Sequence, residues 1–412
     1  MFQFRFEAKM TTSSADWVTP MQSALIKGAA DIEYRREALV PHRLPAWARD
    51  YYSDPGLAMA ESMPAGVRLT LRTRARWIEL NTRVTRFGYA GMPRRPEGQF
   101  ELCIDGQCYS LATPKSATEI SFDLSSGKTH QQSGDISSLR FDGLPEGDKK
   151  VDIWLPYNET VELFDLRSDA ELQADVESDQ PVWVHYGSSI SQGSNAVSAA
   201  GIWPAQVAMQ TGLDLVNLGF SGSALLDPFI ARVIAQSEAD LISLKLGINL
   251  VNSDVMRARA FGPAVLGFLD VIRDRQPYTP LLVISPLYCP IHETTPGPGA
   301  FDAQALAQGQ IRFQATGNDE DSATGKLTLQ SIRTQLAGLI HRRMSTDKHL
   351  FYLDGCELYG PDDHQRWPLP DALHPGPEAH QLIGQRFVER APETGWARST
   401  LGSRLSSSPC SS

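Results

Sequence analysis

Hydrophobic and polar positions follow two different periods along the chain. From about Gly66 to Val176, short alternating or β-branched runs such as VRLTLRT are separated by Gly, Pro and Asp. A two-residue period is typical of strands with one buried face. After Pro181 the pattern changes, and apolar runs such as VWVHY alternate with longer segments of helical character. The sequence therefore predicts a β-rich first part and an α/β second part.

The first part, residues 1–178, is predicted to be an antiparallel β-sandwich of jelly-roll type. Its clearest strand-like runs begin at Val67, Trp77, Phe100, Glu119, Lys150 and Thr160. Their spacing, with turn residues between them, favours a two-sheet all-β domain. No helix longer than two turns is expected between residues 66 and 176.

The second part, residues 179–398, is predicted to be a doubly wound parallel sheet flanked by helices. Five short apolar strands begin at Val182, Leu215, Leu241, Leu281 and Phe351. The helices between and after them open at Trp203-Pro204 and Asp227-Pro228 or span about 255–275, 327–344 and 377–389. Strands that alternate with helices indicate a parallel sheet, in which ligands bind beyond the carboxyl ends of the strands.

Two segments fit neither pattern. The Gly-, Pro- and Thr-rich stretch 290–325 is too long for a simple connection and is interpreted as a functional lid or a disordered loop. The Ser-rich end, residues 399–412, is predicted to be a disordered tail.

Composition and charge narrow the classes of function. The 412 residues are 42% hydrophobic and 21% charged, as expected for a globular protein. The formal net charge is −10 and there is no long Lys/Arg run, so we expect no nucleic-acid partner. No apolar stretch is long enough to span a bilayer and no signal peptide is apparent, so we expect no membrane association and a cytoplasmic location.

The cysteines leave two interpretations open. Cys103 and Cys108 flank Ile-Asp-Gly-Gln, and Asp105-Gly106 is a strong signal for a two-residue hairpin. The two thiols are then close enough for a disulfide, but we favour two reduced thiols on neighbouring strands because the expected compartment is reducing. No Cys/His spacing resembles a zinc site and HExxH is absent, so no metal is predicted.

Polar residues follow the predicted strands at the edge where chemistry is expected. The first strand leads into Gly-Ser-Ser-Ile-Ser-Gln-Gly, which places Ser189 at the open end of the sheet. A phosphate-binding or merely structural turn remains the alternative. The second and third strands lead to Gly222 and Asn249, which are oxyanion-type donors, although singly each is more often a turn residue.

Asp371 and His374 precede the last predicted helix. A three-residue spacing on a turn lets the carboxylate reach the imidazole Nδ1 and leaves Nε2 to face a serine. His292 is the alternative base. His185 lies mid-strand and is interpreted as a buried structural histidine, and His380 is excluded because it lies mid-helix, six residues after His374, and does not share its face. Together these pieces supply a nucleophile, oxyanion donors and an oriented base, which are the groups that acyl transfer needs.

These four blocks, in this order, resemble those of the SGNH/GDSL hydrolase superfamily over about residues 180–392. The resemblance implies Ser189 as nucleophile with Asp371 and His374 as its catalytic partners. It also implies an oxyanion hole formed by the Ser189 N–H, Gly222 and Asn249. Two positions depart from the family pattern, since Ser188 and Leu250 stand where the family has or often has Asp.

A β-sandwich before such a domain is similar to a two-domain group of carbohydrate esterases and acyltransferases. The stretches HYGSSISQGS, NLGFSGSALLDP, KLGINLVN and LPDALHPG look like those of acyltransferases that move a salicylyl-like aromatic acyl group from coenzyme A to a polyketide hydroxyl. The resemblance thus implies no bound cofactor, an acyl-CoA co-substrate, and a small acyl donor and hydroxyl acceptor as partners.

Two alternatives to the transferase remain. One is a GDSL-type esterase or carbohydrate acetylesterase that hydrolyses small acyl esters with the same residues. The other is a carbohydrate-binding protein with an inert α/β domain, which the intact set of catalytic groups disfavours. A transferase must keep water from the acyl-enzyme. The candidates for that role are the 290–325 loop and the aromatic residues Trp203, Phe220 and Tyr288, although each aromatic is more often a core residue than part of a pocket wall.

Overall fold

The computed structural model describes residues 9–10, 17–123, 126–175 and 179–397. They form two compact units. The first unit holds the described residues up to 43, together with 62–179 and 198–200. The second holds 44–61, 180–197 and the described residues from 201 onward. Residues 44–61, on the N-terminal side of the predicted boundary, thus group with the second unit. The predicted tail at 399–412 lies outside the described residues.

The described part of the first unit is built from short strands. In chain order they are β1 Lys9–Met10, β2 Trp17–Pro20, β3 Ile26–Lys27, β4 Asp31–Arg35, β5 Ala38–His42, β6 Arg68–Thr73, β7 Trp77–Tyr89, β8 Phe100–Ile104, β9 Gln107–Ala112, β10 Ala117–Phe122, β11 Thr129–Gln132, β12 Ser137–Asp142, β13 Lys149–Trp154, β14 Thr160–Ser168 and β15 Leu172–Ala174. A short 3-10 turn, Ser23–Leu25, precedes β3.

These strands form two sheets, as the period-two pattern predicted. One sheet has nine strands, β1, β2, β4, β5, β7, β10, β11, β12 and β14, and the other has six, β3, β6, β8, β9, β13 and β15. The antiparallel β-rich domain is therefore confirmed. One pair departs from it, because β10 runs parallel to β7 over Ala117–Phe122.

The core of the first unit lies between the inner faces of the two sheets. From Trp77 to Val84 of β7 every second side chain is buried, and Ile78, Leu80 and Val84 have no exposed surface. They share one apolar cluster with residues of the other sheet such as Leu69 and Ile153. This alternation is what a two-sheet sandwich requires of its strands.

The predicted hairpin at Asp105-Gly106 is present. Cys103 on β8 lies directly opposite Cys108 on β9, and Asp105 and Gly106 adopt positive φ as the tight turn requires. The two sulfurs are joined in a disulfide. The expectation of two reduced thiols is corrected, because the pairing register brings the side chains into contact.

The second unit is an α/β domain. Its strands are β16 Val182–Gly187, β17 Asp214–Gly219, β18 Leu241–Lys245, β19 Leu281–Ile284, β20 Gly299–Phe301, β21 Phe313–Ala315 and β22 Leu350–Leu353. Its helices are α1 Ala46–Tyr51, α2 Pro55–Ser62, α3 Ser189–Gln192, α4 Trp203–Thr211, α5 Pro228–Gln236, α6 Ile248–Asn252, α7 Ala258–Arg273, α8 Pro290–Glu293, α9 Ala303–Ala307, α10 Leu329–Arg343, α11 Gly355–Leu358, α12 Pro361–Arg366 and α13 Pro377–Glu393.

Five of these strands form the predicted parallel sheet, in the order β17-β16-β18-β19-β22. The strand order reverses between β16 and β18, so the chain leaves these two neighbouring strands in opposite directions. Such a switch point opens a crevice at the carboxyl ends of the strands. Residues that follow β16 and β18 are therefore placed at the edge of that crevice.

Helix boundaries in this unit follow the local signals. Pro204 and Pro228 lie in the first turns of α4 and α5, where a missing N–H costs nothing. Gly212 ends α4 in the left-handed conformation, with φ of 67°. Within the described chain, no helix is long and apolar enough to cross a membrane.

The 290–325 stretch has secondary structure of its own. It contains α8, α9, a two-stranded antiparallel sheet of β20 and β21, and a 3-10 turn, Asp319–Thr324. The stretch is therefore ordered, which corrects its interpretation as a disordered loop; its interpretation as a functional lid stays a prediction.

Candidate active site

Ser189 begins α3 directly after the first strand of the parallel sheet. Ser188 caps this one-turn helix, and its hydroxyl accepts a hydrogen bond from the Ile190 N–H at 3.4 Å. Gly187 and Gly219 end neighbouring strands, and a Cβ on either would collide with Ser191 in the same turn. The glycines thus allow the serine turn to lie against the strand ends, where Ser189 stays 7% exposed.

His374 lies in the loop before α13 and faces this serine. Its Nε2 is 2.9 Å from Ser189 Oγ, and its Nδ1 is 2.8 Å from Asp371 Oδ2. The two contacts fit one tautomer, in which Nδ1–H donates to the carboxylate and Nε2 accepts from the hydroxyl. The structure therefore brings Ser189, His374 and Asp371 into one hydrogen-bonded series.

Asp371 is held by the backbone of its own turn. Its Oδ1 accepts from the N–H groups of Leu373 at 3.0 Å and His374 at 2.7 Å. Burial raises the pKa of the Asp371 carboxyl, but bonds and charge from His374 and the two N–H groups lower it more, so the net pKa lies below its usual range. The carboxylate is therefore ionised at neutral pH and available to orient the imidazole.

The two other predicted oxyanion donors, Asn249 and Gly222, lie in segments that are joined by a hydrogen bond. Asn249, in α6 after β18, is 4% exposed and accepts at Oδ1 from the Ala224 N–H at 3.2 Å. This bond leaves the Asn249 amide N–H groups as its free donors. Gly222 lies two residues before Ala224, with φ of 72° and open space where a side chain would stand. An unobstructed backbone N–H at such a glycine suits an oxyanion.

Gly247 allows α6 to begin directly after β18, two residues before Asn249. It caps α6 with φ of 123°, and a Cβ there would approach Pro286 Cγ to 2.7 Å and Ile332 Cγ2 to 2.9 Å. Only glycine tolerates both the conformation and the close packing.

The three predicted pocket aromatics differ in position. Trp203 and Phe220 have no exposed surface, and they pack against Trp183 and Tyr186 respectively. Both rings belong to the interior, which corrects their assignment to a pocket wall. Tyr288 is only partly buried and lines a small cavity.

The three other histidines named in the sequence analysis make contacts outside the serine series. His185 is fully buried between the hydroxyls of Ser243 and Ser191, at 2.7 and 2.8 Å. His380 Nε2 donates to the Ser194 carbonyl at 3.0 Å. His292, the alternative base, is buried within the 290–325 stretch, with ring nitrogens 3.2 Å from Asn252 Oδ1 and 3.3 Å from the Thr295 carbonyl. It forms no part of the serine series.

Two residues near the series were not predicted. Asn195 Nδ2 donates to Asp371 Oδ2 at 3.1 Å, from a position with φ of 65°. Phe313, on β21, packs its ring against His374. Asn195 lies six residues after Ser189. Asn adopts the left-handed conformation more readily than most residues, so an Asn in the loop after the serine was a signal that the sequence did carry. Nothing in the local sequence points to Phe313.

Comparison with known proteins agrees with this geometry. Residues 180–291 match the GDSL-like Lipase/Acylhydrolase family. Over 93% of its length, the chain superposes on 98% of "Salicylyl-Acyltransferase SsfX3 from a Tetracycline Biosynthetic Pathway", with 26% sequence identity and a TM-score of 0.74. The resemblance to the SGNH/GDSL superfamily and to this kind of acyltransferase is therefore confirmed.

More distant structures share the fold. A putative GDSL-like lipase from Bacteroides ovatus is 20% identical with a TM-score of 0.65, covering 92% of this chain and 98% of its own. A family two carbohydrate esterase from Cellvibrio japonicus is 11% identical with a TM-score of 0.54, covering 93% and 98%. No curated protein matches the chain significantly in sequence. The fold is that of GDSL enzymes.

Proposed function

We propose that the protein is a serine acyltransferase that moves an aromatic, salicylyl-like acyl group from a CoA thioester to a polyketide hydroxyl. The observation that carries this proposal is the series Asp371–His374–Ser189, with consecutive contacts of 2.8 and 2.9 Å. Likeness to the SsfX3 salicylyl-acyltransferase of a tetracycline pathway, over nearly the whole chain, supports the choice of acyl group and of pathway.

In the first step, Ser189 Oγ attacks the thioester carbonyl carbon. His374 Nε2 takes the hydroxyl proton as the Oγ–C bond forms, and the carbonyl π electrons move onto oxygen. Asp371 stabilises the imidazolium because its carboxylate lies 2.8 Å from Nδ1. When the tetrahedral intermediate collapses, the C–S bond breaks and His374 returns the proton to the departing CoA thiolate.

The negative oxygen of the intermediate requires donors. The proposed donors are the Ser189 N–H, the Gly222 N–H and the Asn249 amide. Loss of one such donor usually raises the barrier by about 2.7–4 kcal/mol. The Ala224 bond to Asn249 Oδ1 supports this role, since it fixes the amide with its N–H groups unused.

In the second step, the acceptor hydroxyl attacks the acyl-enzyme carbonyl. His374 takes the proton of that hydroxyl, the new ester bond forms, and the proton then passes to Ser189 Oγ as the acyl–enzyme bond breaks. No group is consumed, so the enzyme is ready for another thioester.

A GDSL-type esterase is the second candidate function. The family matched by residues 180–291 is described as a lipase and acylhydrolase family, which favours it. The same residues would act, with water in place of the acceptor hydroxyl. The two functions differ only in how long the acyl-enzyme survives in water.

Intact-protein mass spectrometry after incubation with acyl-CoA thioesters and simple aryl esters tests both functions. Wild type is expected to carry a persistent aroyl adduct from the thioester, and Ser189→Ala none. Ser188→Ala is the matched control, because within the described part of the chain its hydroxyl bonds the Ile190 N–H and not the serine series, so the adduct should survive. Rapid ester turnover without any adduct or response to acyl-CoA indicates the esterase. Full activity of Ser189→Ala contradicts both.

A further inference from the structure

Lys245 is a buried cation that the mechanism above does not use. It is the last residue of β18, and only 3% of its surface is exposed. Among the described residues its side chain has no hydrogen bond or ion pair, and burial lowers the pKa of its amine to about 7. Ammonium groups this deeply buried are costly unless something accepts their hydrogen bonds.

The groups around Lys245 do not supply that acceptor. The Lys245 charge lowers the pKa of two nearby basic side chains, His185 and His380. Burial, and then the Lys245 charge, lower the pKa of His185. Burial also lowers the pKa of His380, to about 4. The ring nitrogens of both histidines already have other hydrogen-bond partners. Among the described residues no carboxylate pairs with the Lys245 amine.

Lys245 instead lines a cavity beside the serine series. The cavity wall includes Ile190, which follows Ser189. It also includes Leu373 and Pro375, which flank His374. The remaining wall is largely apolar and aromatic, with Leu246, Leu287, Tyr288 and Tyr359 among its residues. Its volume is about 10 Å³, enough for roughly one small polar group and too small for a whole aromatic ring.

We propose that Lys245 determines acyl-group specificity by donating to an oxygen substituent next to the acyl carbonyl, as in a 2-hydroxybenzoyl group. This inference rests on the proposed function and deepens it by naming the feature of the acyl group that is recognised. Chain neighbours of Ser189 and His374 line the cavity, and the proposal therefore places its occupant on a substituent close to the reacting carbonyl. The cavity has room for the oxygen substituent alone, so the ring that carries it would remain outside.

A site built to hydrogen-bond an oxygen discriminates strongly against an analogue that lacks it, since the buried donor is then left without a partner. The matched substrates are 2-hydroxybenzoyl-CoA and 2-methylbenzoyl-CoA, which differ in polarity but little in size. The matched variants are Lys245→Met, which keeps the stem and removes the charge, and Lys348→Met, which removes an exposed lysine of the same unit.

Single-turnover acylation of Ser189 gives kcat/KM for each protein with each of the two thioesters. Wild type and Lys348→Met are expected to prefer the 2-hydroxy thioester at least about tenfold. In Lys245→Met this ratio should fall to about one, chiefly through slower reaction with the hydroxy thioester. A merely structural lysine would slow both thioesters equally. An unchanged ratio in Lys245→Met, or no preference in wild type, overturns the proposal.

Failure of the proposed function gives a different result, namely no acylation of Ser189 by either thioester. Calorimetric binding of free salicylate and 2-methylbenzoate then decides the role of Lys245 without turnover. Salicylate should bind wild type at least about tenfold more tightly than Lys245→Met, and 2-methylbenzoate should bind both proteins alike. Equal binding of salicylate to the two proteins overturns the proposal.

Discussion

Phe313 meets the His374 imidazole edge-on, with ring centroids 5.5 Å apart and planes inclined by 78°. The Phe313 N–H also donates to the Asp371 carbonyl oxygen at 2.8 Å. One residue of the 290–325 stretch thus contacts the base through its ring and the neighbouring carboxylate residue through its backbone. This stretch therefore supports the position of the imidazole.

Replacement of Phe313 by Leu should slow acylation without abolishing it. The backbone bond to Asp371 remains, but the edge-to-face contact is lost, and such contacts contribute about 0.5–1.5 kcal/mol. We expect kcat/KM for thioester acylation to fall by about three- to tenfold. Phe301→Leu is the control, since that ring packs on Phe313 at 4.9 Å and should matter less. Equal losses in the two variants would show that only bulk is required.

Asn195 has a distinct role, since it donates to the same Asp371 oxygen that faces His374 Nδ1. Asn195→Gly removes this bond while tolerating the left-handed backbone. Loss of a hydrogen bond to a charged acceptor costs about 1.5–3 kcal/mol, so kcat should fall by about ten- to a hundredfold. Steady-state kinetics beside a thermal unfolding scan measures this effect. A drop in melting temperature with unchanged kcat would instead assign Asn195 a folding role.

Much of the catalytic arrangement could be predicted from the sequence. Parallel strands bring their carboxyl ends to one edge, so residues after separate strands, such as Ser189 and Asn249, must meet there once the strands are recognised. The limits of α4 were also predictable, because Pro204 favours the first turn of a helix and Gly212 adopts the left-handed conformation that ends one. These features depend on local chemistry and a short list of topologies.

Other features depend on packing between distant segments. Trp203 and Phe220 were candidates for a substrate pocket with the core as the alternative, because the sequence alone does not separate a buried aromatic from one that lines a pocket. Phe313 reaches His374 only because β20 and β21 fold the 290–325 stretch back on itself. Lys245 did carry a signal, a charged residue within the apolar run LISLKL, but its contact with a cavity is a property of the fold.

Asn249→Ala tests the oxyanion hole directly. It removes the proposed amide donor and also the acceptor of the Ala224 N–H. We expect kcat to fall by about 10²–10³-fold with a small change in KM, since the donor acts mainly in the transition state. Ala224→Pro would remove the N–H that holds the amide while leaving the amide itself in place, so it should reduce kcat less if it folds. A purely KM-based defect in Asn249→Ala would argue that the amide binds substrate instead.

The buried amine of Lys245 makes a prediction about stability and pH. Burial lowers its pKa to about 7 in the folded protein, whereas an unfolded lysine stays near its ordinary value. Between these values the unfolded chain binds more protons, so the free energy of unfolding rises with pH above about 7. Over two pH units, one such group increases the free energy of unfolding by at most about 2.7 kcal/mol.

Denaturant unfolding of wild type and Lys245→Met from pH 7 to pH 9 isolates this contribution. The wild-type free energy of unfolding should increase relative to the variant as pH rises, because Lys245→Met has no amine to deprotonate. Burial also raises the pKa of Cys289 to about 12 in the folded state, and its opposite effect on stability near pH 9 cancels because wild type and variant share this thiol. Lys348→Met should follow wild type across the range. Parallel curves for wild type and Lys245→Met would mean that the folded amine keeps an ordinary pKa and is solvated within its cavity.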